Sequence, residues 1–408
     1  MNVRFCPSVP ANTRPASDLS DRHYPAVAEG IVQYRPPNLW RDLDRGYLAP
    51  HLMPVQEFRE AMSAALAGAG WQALAYGNNS GPVPLKEQLV ANGMVGADID
   101  NICITGGISQ ALVLLAGVLA TQGDCVAIEE PSYDLGAALL RDAGLHPLCL
   151  ASDDQGPVEG ALAECARQAA ARGSRLAFAV VMPRHQNPTG RCLTTHRLRE
   201  LVEASGSLGL PLIIDDAYGE IDFRTMGSVP LPLPDVVSDA PHLVVLGSFS
   251  KTLGGGIRLG YLVAARPLIA RIERFGWTAS GGGFNPINAL AAAEFLRDGY
   301  RQHVRDLTHA LVMNRDVALA ELAKLDDPGL TVNSPSGGYF LWVRPATVGD
   351  SVALQSAFDT ARVSVADGAR FGSSGSGMFR LSFSSATAEQ IGQALSDVVS
   401  VLRKESDD

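Results

Sequence analysis

Lys251 lies in the stretch GSFSKTLGGGIRLGY (247–261), after Ser248 and Ser250 and ahead of three glycines and Arg258. A solvated lysine needs none of this setting. A P-loop reading requires glycines before the lysine in the spacing GxxxxGK[ST], and here they follow it. A lysine that snorkels to water would leave the serines and the arginine incidental. In the covalent reading, an amine held below its ordinary pKa of about 10.4 condenses with an aldehyde to form a Schiff base. Ser248, Ser250 and Arg258 would then hold the phosphate of the molecule that carries the aldehyde.

Four other places could do related chemistry. In ITGGISQAL, Gly106 and Gly107 precede a helix whose free N–H groups suit an anion, although a glycine turn alone is more often only a turn. In EEPSYDLG, Tyr133 offers an aromatic ring, which taken alone reads as packing. In MPRHQNPTG, His185 and Asn187 point to a ligand or belong to a turn, and Pro188 admits a cis bond. In LIIDDAYG, Asp215 ends a buried strand and requires a cationic or N–H partner, because an unpaired buried carboxylate is costly.

The five places fit one ligand, pyridoxal 5′-phosphate (PLP). Lys251 meets the aldehyde and Asp215 the ring nitrogen. Gly107, Ile108, Ser109, Ser248, Ser250 and Arg258 form the phosphate cup. Tyr133 stacks on the ring, while Asn187 and Tyr218 reach its phenolic oxygen. Each piece is weak alone, and their joint order carries the reading.

These residues follow short apolar runs, where an open α/β sheet binds its ligands. NICIT, CVAIEEP, RLAFAVVMP, LPLIIDDAY and HLVVLGSFS read as strands buried on both faces, separated by amphipathic helical stretches. They predict an α/β fold with a mostly parallel central sheet and a smaller α+β domain. The expected division is an N-terminal arm and part of the small domain (1–54), a large ligand-binding domain (55–295) and a C-terminal small domain (296–408). A long helical stretch, 288–322, is expected to leave the large domain.

The 408 residues give ample material for two or three lobes. A formal charge of −10 without a clustered basic surface argues against a nucleic-acid partner. The six cysteines are scattered without CxxC spacing and read as small apolar fillers rather than as a zinc site or disulfide scaffold. No apolar run approaches the roughly 20 residues that span a membrane, and the first residues lack a secretion signal, so a cytoplasmic location is expected.

In this order the motifs YGNNSGPVPLKEQL, ITGGISQAL, EEPSYDLG, HQNPTG, DDAY, SFSKTLGGGIRLGY, GGYFLWV and FRLSFS resemble the class I/II aminotransferases of fold type I. The nearest likeness is to the 2-aminoadipate and kynurenine aminotransferase branch and to the C-terminal part of MocR-type regulators. The resemblance implies PLP bound to Lys251 as the internal aldimine, with that lysine moving protons at the substrate Cα, and Asp215 keeping the pyridine nitrogen protonated. It implies that Arg380 grips the substrate α-carboxylate with help from Asn187 and Gly46. Tyr76 would reach the phosphate of a neighbouring subunit, which implies a homodimer with shared sites acting on an amino acid and a 2-oxo acid. Gly254–Gly256, the segment SGGGFNPINAL and the arginines of RDLDRGYLAP depart from the usual pattern and leave the substrate open. Other PLP reactions are an alternative: β- or γ-replacement, C–C bond formation, decarboxylation or oxidation. A DNA-binding regulator is disfavoured, since an arm of about 50 residues is short and irregular for a helix-turn-helix.

Overall fold

The computed structural model describes residues 41–227, 240–325 and 329–407. Most of the expected N-terminal arm, with Cys6, lies outside the described residues. Strand β1 (Arg41–Asp42) pairs in parallel with β13 (Val363–Ser364), which ties residues 41–42 to the C-terminal part of the chain.

A seven-stranded sheet runs in the order β2 (Ile102–Thr105), β10 (Gly260–Ala264), β9 (Leu243–Ser248), β8 (Leu212–Asp215), β7 (Leu176–Val181), β3 (Cys125–Glu129), β4 (His146–Leu150). Neighbours from β9 to β4 are parallel. All four residues of β2 and of β8 are buried, as continuous apolar runs require when both faces are covered. Along the strands the side chains alternate between two cores. Phe178 and Ile213 pack with helices α3 (Ile108–Leu119), α4 (Asp134–Asp142) and α7 (Arg266–Arg274). Ala179, Leu212 and Ile214 face α5 (Ala161–Ala171) and α6 (Thr195–Ser207). A small hairpin, β5 (Ser152–Asp153) with β6 (Gly156–Pro157), follows β4.

The five expected strands are present. Two more join them. Strand β4 alternates buried and exposed positions at the sheet edge, so its sequence HPLCL carries no continuous signal. Strand β10 follows the glycine loop and runs antiparallel to both neighbours.

A second sheet, antiparallel throughout, has the order β11 (Leu330–Val332), β12 (Phe340–Pro345), β15 (Phe379–Ser382), β14 (Ala366–Asp367). It packs with α11 (Val348–Thr360) and α12 (Ala388–Asp407). The expected long helical stretch breaks at Gly299. Helix α9 (Pro286–Asp298), reached through α8 (Gly276–Gly281), stays on the large sheet's side. There Ala289, Ala292 and Ala293 share a core with Ala61 of α1 (Val55–Ala69) and Leu85 of α2 (Val83–Ala91). Helix α10 (Tyr300–Ala323) is the element that passes over, with Val304 in that core and Leu307, Leu311 and Ala318 in the core beneath the second sheet.

Candidate active site

The ends of β8 and β9, the start of α3 and the loops after β3 and β7 enclose a cavity of about 430 Å³. Lys251, Asp215, Tyr218, Asn187 and Tyr133 line it. Ile108, Ser109, Ser248, Ser250 and Arg258 complete one end.

The Lys251 Nζ donates to the Gly46 carbonyl at 3.1 Å and sits 5.4 and 5.7 Å from the ring centres of Tyr218 and Tyr339. The Tyr339 hydroxyl donates to the Lys251 carbonyl and fixes the backbone beneath the amine. Burial, then the Arg380 and Arg258 cations, pull the ammonium down to about 8 against the opposing pull of Asp215. Burial pushes Asp215 up to about 7, although the Ala217 N–H, 3.1 Å from its Oδ1, favours the ionised form. The expected N–H partner is thus a single backbone group. Burial also pushes the Tyr133 phenol up to about 12.

The anion end is built on backbone. Gly107 caps α3 with φ 94°, and a Cβ there would lie 3.2 Å from the Arg258 guanidinium. Only glycine combines that backbone with that approach. Gly107 therefore shapes the cup rather than lining it. Arg258 has φ 48°, held by the Asn285 amide donating to the carbonyls of Ile257 and Arg258 at 2.7 and 2.8 Å. Its guanidinium donates to the Gly106 carbonyl at 2.8 Å and the Gly255 carbonyl at 3.2 Å. The Ser250 N–H donates to the Ser248 hydroxyl at 3.1 Å. A helix start, two serines and a guanidinium together make a site for a dianion.

Arg380, on β15, is 5% exposed and lies between the rings of Phe340 and Phe371, 4.1 and 4.6 Å from their centres. It donates to Asn187 Oδ1 at 2.7 Å and to the Asp44 carbonyl at 2.6 Å, while its Nε is buried without a partner. Gly46 meets Lys251 through its carbonyl, and a Cβ at Gly46 would collide with the Phe340 ring.

Two expectations change. His185 does not line this cavity: it is 1% exposed, its Nε2 lies 3.2 Å from Asp222 and its Nδ1 lies 3.4 Å from the Cys192 sulfur. Cys192 is accordingly a hydrogen-bonded thiol rather than an apolar filler. Tyr76 is 87% exposed and lies outside this chain's own cavity, a position compatible with its expected reach to a neighbouring subunit. The Asn187–Pro188 bond is cis. Tyr47, Leu112, Met182 and Ala217 also line the cavity and were not singled out by the sequence, whereas Gly255 and Gly256 belong to the glycine run already noted. All four lie in or beside the quoted motifs, Tyr47 directly after Gly46.

A lysine, a carboxylate and an anion cup meet in one cavity at the strand ends of this sheet, on a fold type I scaffold. The chain belongs to the aminotransferase class I and II family, whose model matches residues 47–398. It is 29% identical over 358 residues to the 2-aminoadipate transaminase of Thermus thermophilus, covering 86% of each chain. It is also 29% identical over 307 residues to the uncharacterised HTH-type transcriptional regulator YdfD of Bacillus subtilis, covering 74% of this chain and 61% of that one. The chain thus spans about three fifths of that regulator's length. Among solved structures, the alpha-aminoadipate aminotransferase of Thermus thermophilus, complexed with N-(5′-phosphopyridoxyl)-L-leucine, superposes with a TM-score of 0.76 at 26% identity, covering 90% of this chain and 93% of that one.

Proposed function

We propose that this protein is a PLP-dependent aminotransferase that moves the amino group of an L-amino acid to a 2-oxo acid. The observation that carries the reading is the Lys251 amine and the Asp215 carboxylate lining one buried cavity whose end is an anion cup. The cup fits a phosphate: the glycine that opens it has φ 94° and sits close against the Arg258 guanidinium, and its donors are backbone N–H groups, hydroxyls and a guanidinium. When bound, PLP supplies an aldehyde and a ring that withdraws electrons from the substrate Cα.

Ile108, Ser109, Ser248, Ser250 and Arg258 would hold the phosphate, with Gly107 allowing its approach. Asp215, near its ionisation point in a buried setting, favours a protonated ring nitrogen beside it. Tyr133 would cover the ring, and Asn187 and Tyr218 would bind its phenolic oxygen. Burial lowers the Lys251 ammonium to about 8, so it gives up its proton more readily than an ordinary lysine, and it would move the proton of the substrate Cα. Arg380 orients the substrate carboxylate with Asn187, and the stacking on Phe340 and Phe371 fixes its plane.

A homodimer with shared sites is part of the proposal. Trp71, Leu74 and Tyr76 are 77%, 79% and 87% exposed and close in sequence, which supports a partner surface there. No described helix is long and apolar enough to cross a membrane. We further place the enzyme in the cytoplasm, working on small molecules rather than nucleic acid.

The test mixes PLP-loaded enzyme with a panel of amino acids, 2-aminoadipate and aromatic ones first, without an acceptor. Stoichiometric pyridoxamine phosphate and a 2-oxo acid are expected. Turnover without an acceptor would instead favour another PLP reaction. Lys251→Ala is expected to lower the half-reaction rate by about 10³-fold or more and to abolish the visible absorbance of bound cofactor. Persistence of that band after dialysis would assign the aldehyde to another amine.

A further inference from the structure

We propose that Cys192 is a reactive nucleophilic thiol, activated by His185 and Asp222, and that it is a modification site for small peroxides entering a second cavity. That cavity, of about 630 Å³, shares no lining residue with the one around Lys251. Cys192 lines it, with Ser336 and Arg191 among its neighbours.

Three groups stand in relay. The Cys192 sulfur lies 3.4 Å from His185 Nδ1, and His185 Nε2 lies 3.2 Å from the Asp222 carboxylate. Asp222 accepts from the Arg224 backbone N–H at 2.9 Å and from its Nε at 3.0 Å, which locks the carboxylate. A carboxylate on Nε2 holds a proton there and leaves Nδ1 to exchange a proton with sulfur, the division of labour of a nucleophile, a base and an orienting acid. The His185 backbone N–H, 3.4 Å from the sulfur, and the Ser336 hydroxyl, 3.8 Å away, add weak polar contacts that favour thiolate. Arg191, in the same lining, has its Nε buried without a hydrogen-bond partner.

The ionisation of the group agrees. Burial pushes the thiol up, and the hydrogen bond and charge of His185 more than offset it, bringing Cys192 down to about 7. Burial lowers His185, but its bonds to Asp222 and Cys192 raise it overall. The other charges that bear on this site are Arg224, bonded to Asp222, and Arg191, paired with Glu129 at 2.7 Å. By contrast, burial pushes Cys103 up to about 12 and Cys165 to about 11, and Cys149 is also raised.

The step balances. The thiolate attacks one oxygen of hydrogen peroxide, the S–O bond forms and the O–O bond breaks. The departing hydroxide takes the proton of the His185 imidazolium and leaves as water. Sulfur is oxidised to the sulfenic acid, peroxide is reduced, and His185 ends neutral. The loop 184–192 also carries Asn187, which holds Arg380, so on the aminotransferase reading the modified enzyme is expected to show a raised KM for the amino acid at little cost in kcat.

The test needs no amino acid and so stands apart from the aminotransferase reading. PLP-loaded protein is treated with limiting iodoacetamide across pH, or with hydrogen peroxide plus dimedone, and each cysteine peptide is followed by mass spectrometry. Cys192 is expected to alkylate with a midpoint near 7 and to carry the dimedone adduct, with exposed Cys149 about tenfold slower at neutral pH. Asp222→Asn is expected to move that midpoint upward. Equal labelling of Cys149 and Cys192 at neutral pH, or an unmoved midpoint in a folded Asp222→Asn protein, would overturn the proposal. Should Asp222→Asn not fold, Cys192→Ser decides: it is expected to keep basal activity and lose the adduct, and an adduct that persists refutes the assignment.

Discussion

The Lys251 cavity and the Cys192 cavity each set a carboxylate near a basic group, and they drive the two in opposite directions. Around Lys251, burial outweighs attraction: Asp215 rises to about 7 and the amine falls to about 8, so both move toward neutrality. Around Cys192, Asp222 is held well below the ordinary carboxylate range, while His185 is raised and the thiol lowered, so all three move toward charge. The difference lies in contact. Asp222, His185 and Cys192 bond directly, whereas Lys251 bonds to the Gly46 carbonyl and Asp215 to the Ala217 N–H, with the cavity open to both. Closed hydrogen bonds stabilise ions in place, and an open cavity leaves them in need of a ligand.

The largest expected break in this contrast is Asp215→Asn, which should slow the half-reaction by about 10²-fold or more in single-turnover assays. The same change should make the cofactor-free protein more stable at high pH. An unfolded aspartate ionises near 3.9, so between about 4 and about 7 the folded protein binds more protons and loses stability as pH rises. Calorimetry of the cofactor-free proteins should give Asp215→Asn a Tm about 3 °C or more above the parent at pH 8, and little difference near pH 4.

Arg380→Ala comes next. It removes the charge-assisted grip and should raise KM for amino acids by about 10- to 100-fold while the cofactor stays bound. An unchanged KM across the panel would remove Arg380 from its role. The same variant should move the Lys251 ionisation upward, since the Arg380 cation helps to lower it. Cofactor loading followed against pH by absorbance would report that shift.

Asp222→Asn should act on the other cavity alone. Its acidic shift contributes stability that is present above about 4 and is lost on further acidification. The variant should lower Tm at neutral pH by about 2 to 4 °C and leave the spectrum of bound cofactor unchanged. Smallest of all, Cys192→Ser should change basal kcat/KM by less than about twofold, because the thiol touches neither Lys251 nor Arg380.

Much of the first cavity was legible because its parts sit at strand ends. LIIDD places Asp215, HLVVLGSFSK places Ser248 through Lys251, and ITGGIS places the start of α3, each after an apolar run that only a buried strand explains. The second cavity was not legible. His185 and Cys192 lie seven residues apart in a polar loop, and Asp222 and Ser336 arrive from elsewhere, so no spacing joins them. His185 looked like a ligand contact because Asn187, two residues on, lines the Lys251 cavity. A left-handed residue at His185, with φ 49°, turns the ring into the protein instead. Strands β4 and β10 and the break at Gly299 escaped for a related reason, since edge alternation in β4, the reversed direction of β10 and helix partners leave little periodic trace.

The amino-acid order by itself determined which groups gather at the Lys251 cavity, an amine, a carboxylate and a loop of serines with an arginine, because buried strands force their polar ends to the sheet margin. Only the tertiary structure decided what each group contacts. It set Arg380 between two rings, opened Tyr76 to the surface and closed Cys192, His185 and Asp222 into one hydrogen-bonded set. Contact distance in three dimensions, which sequence spacing does not encode across lobes, decides whether burial neutralises a pair or an ion bond preserves it.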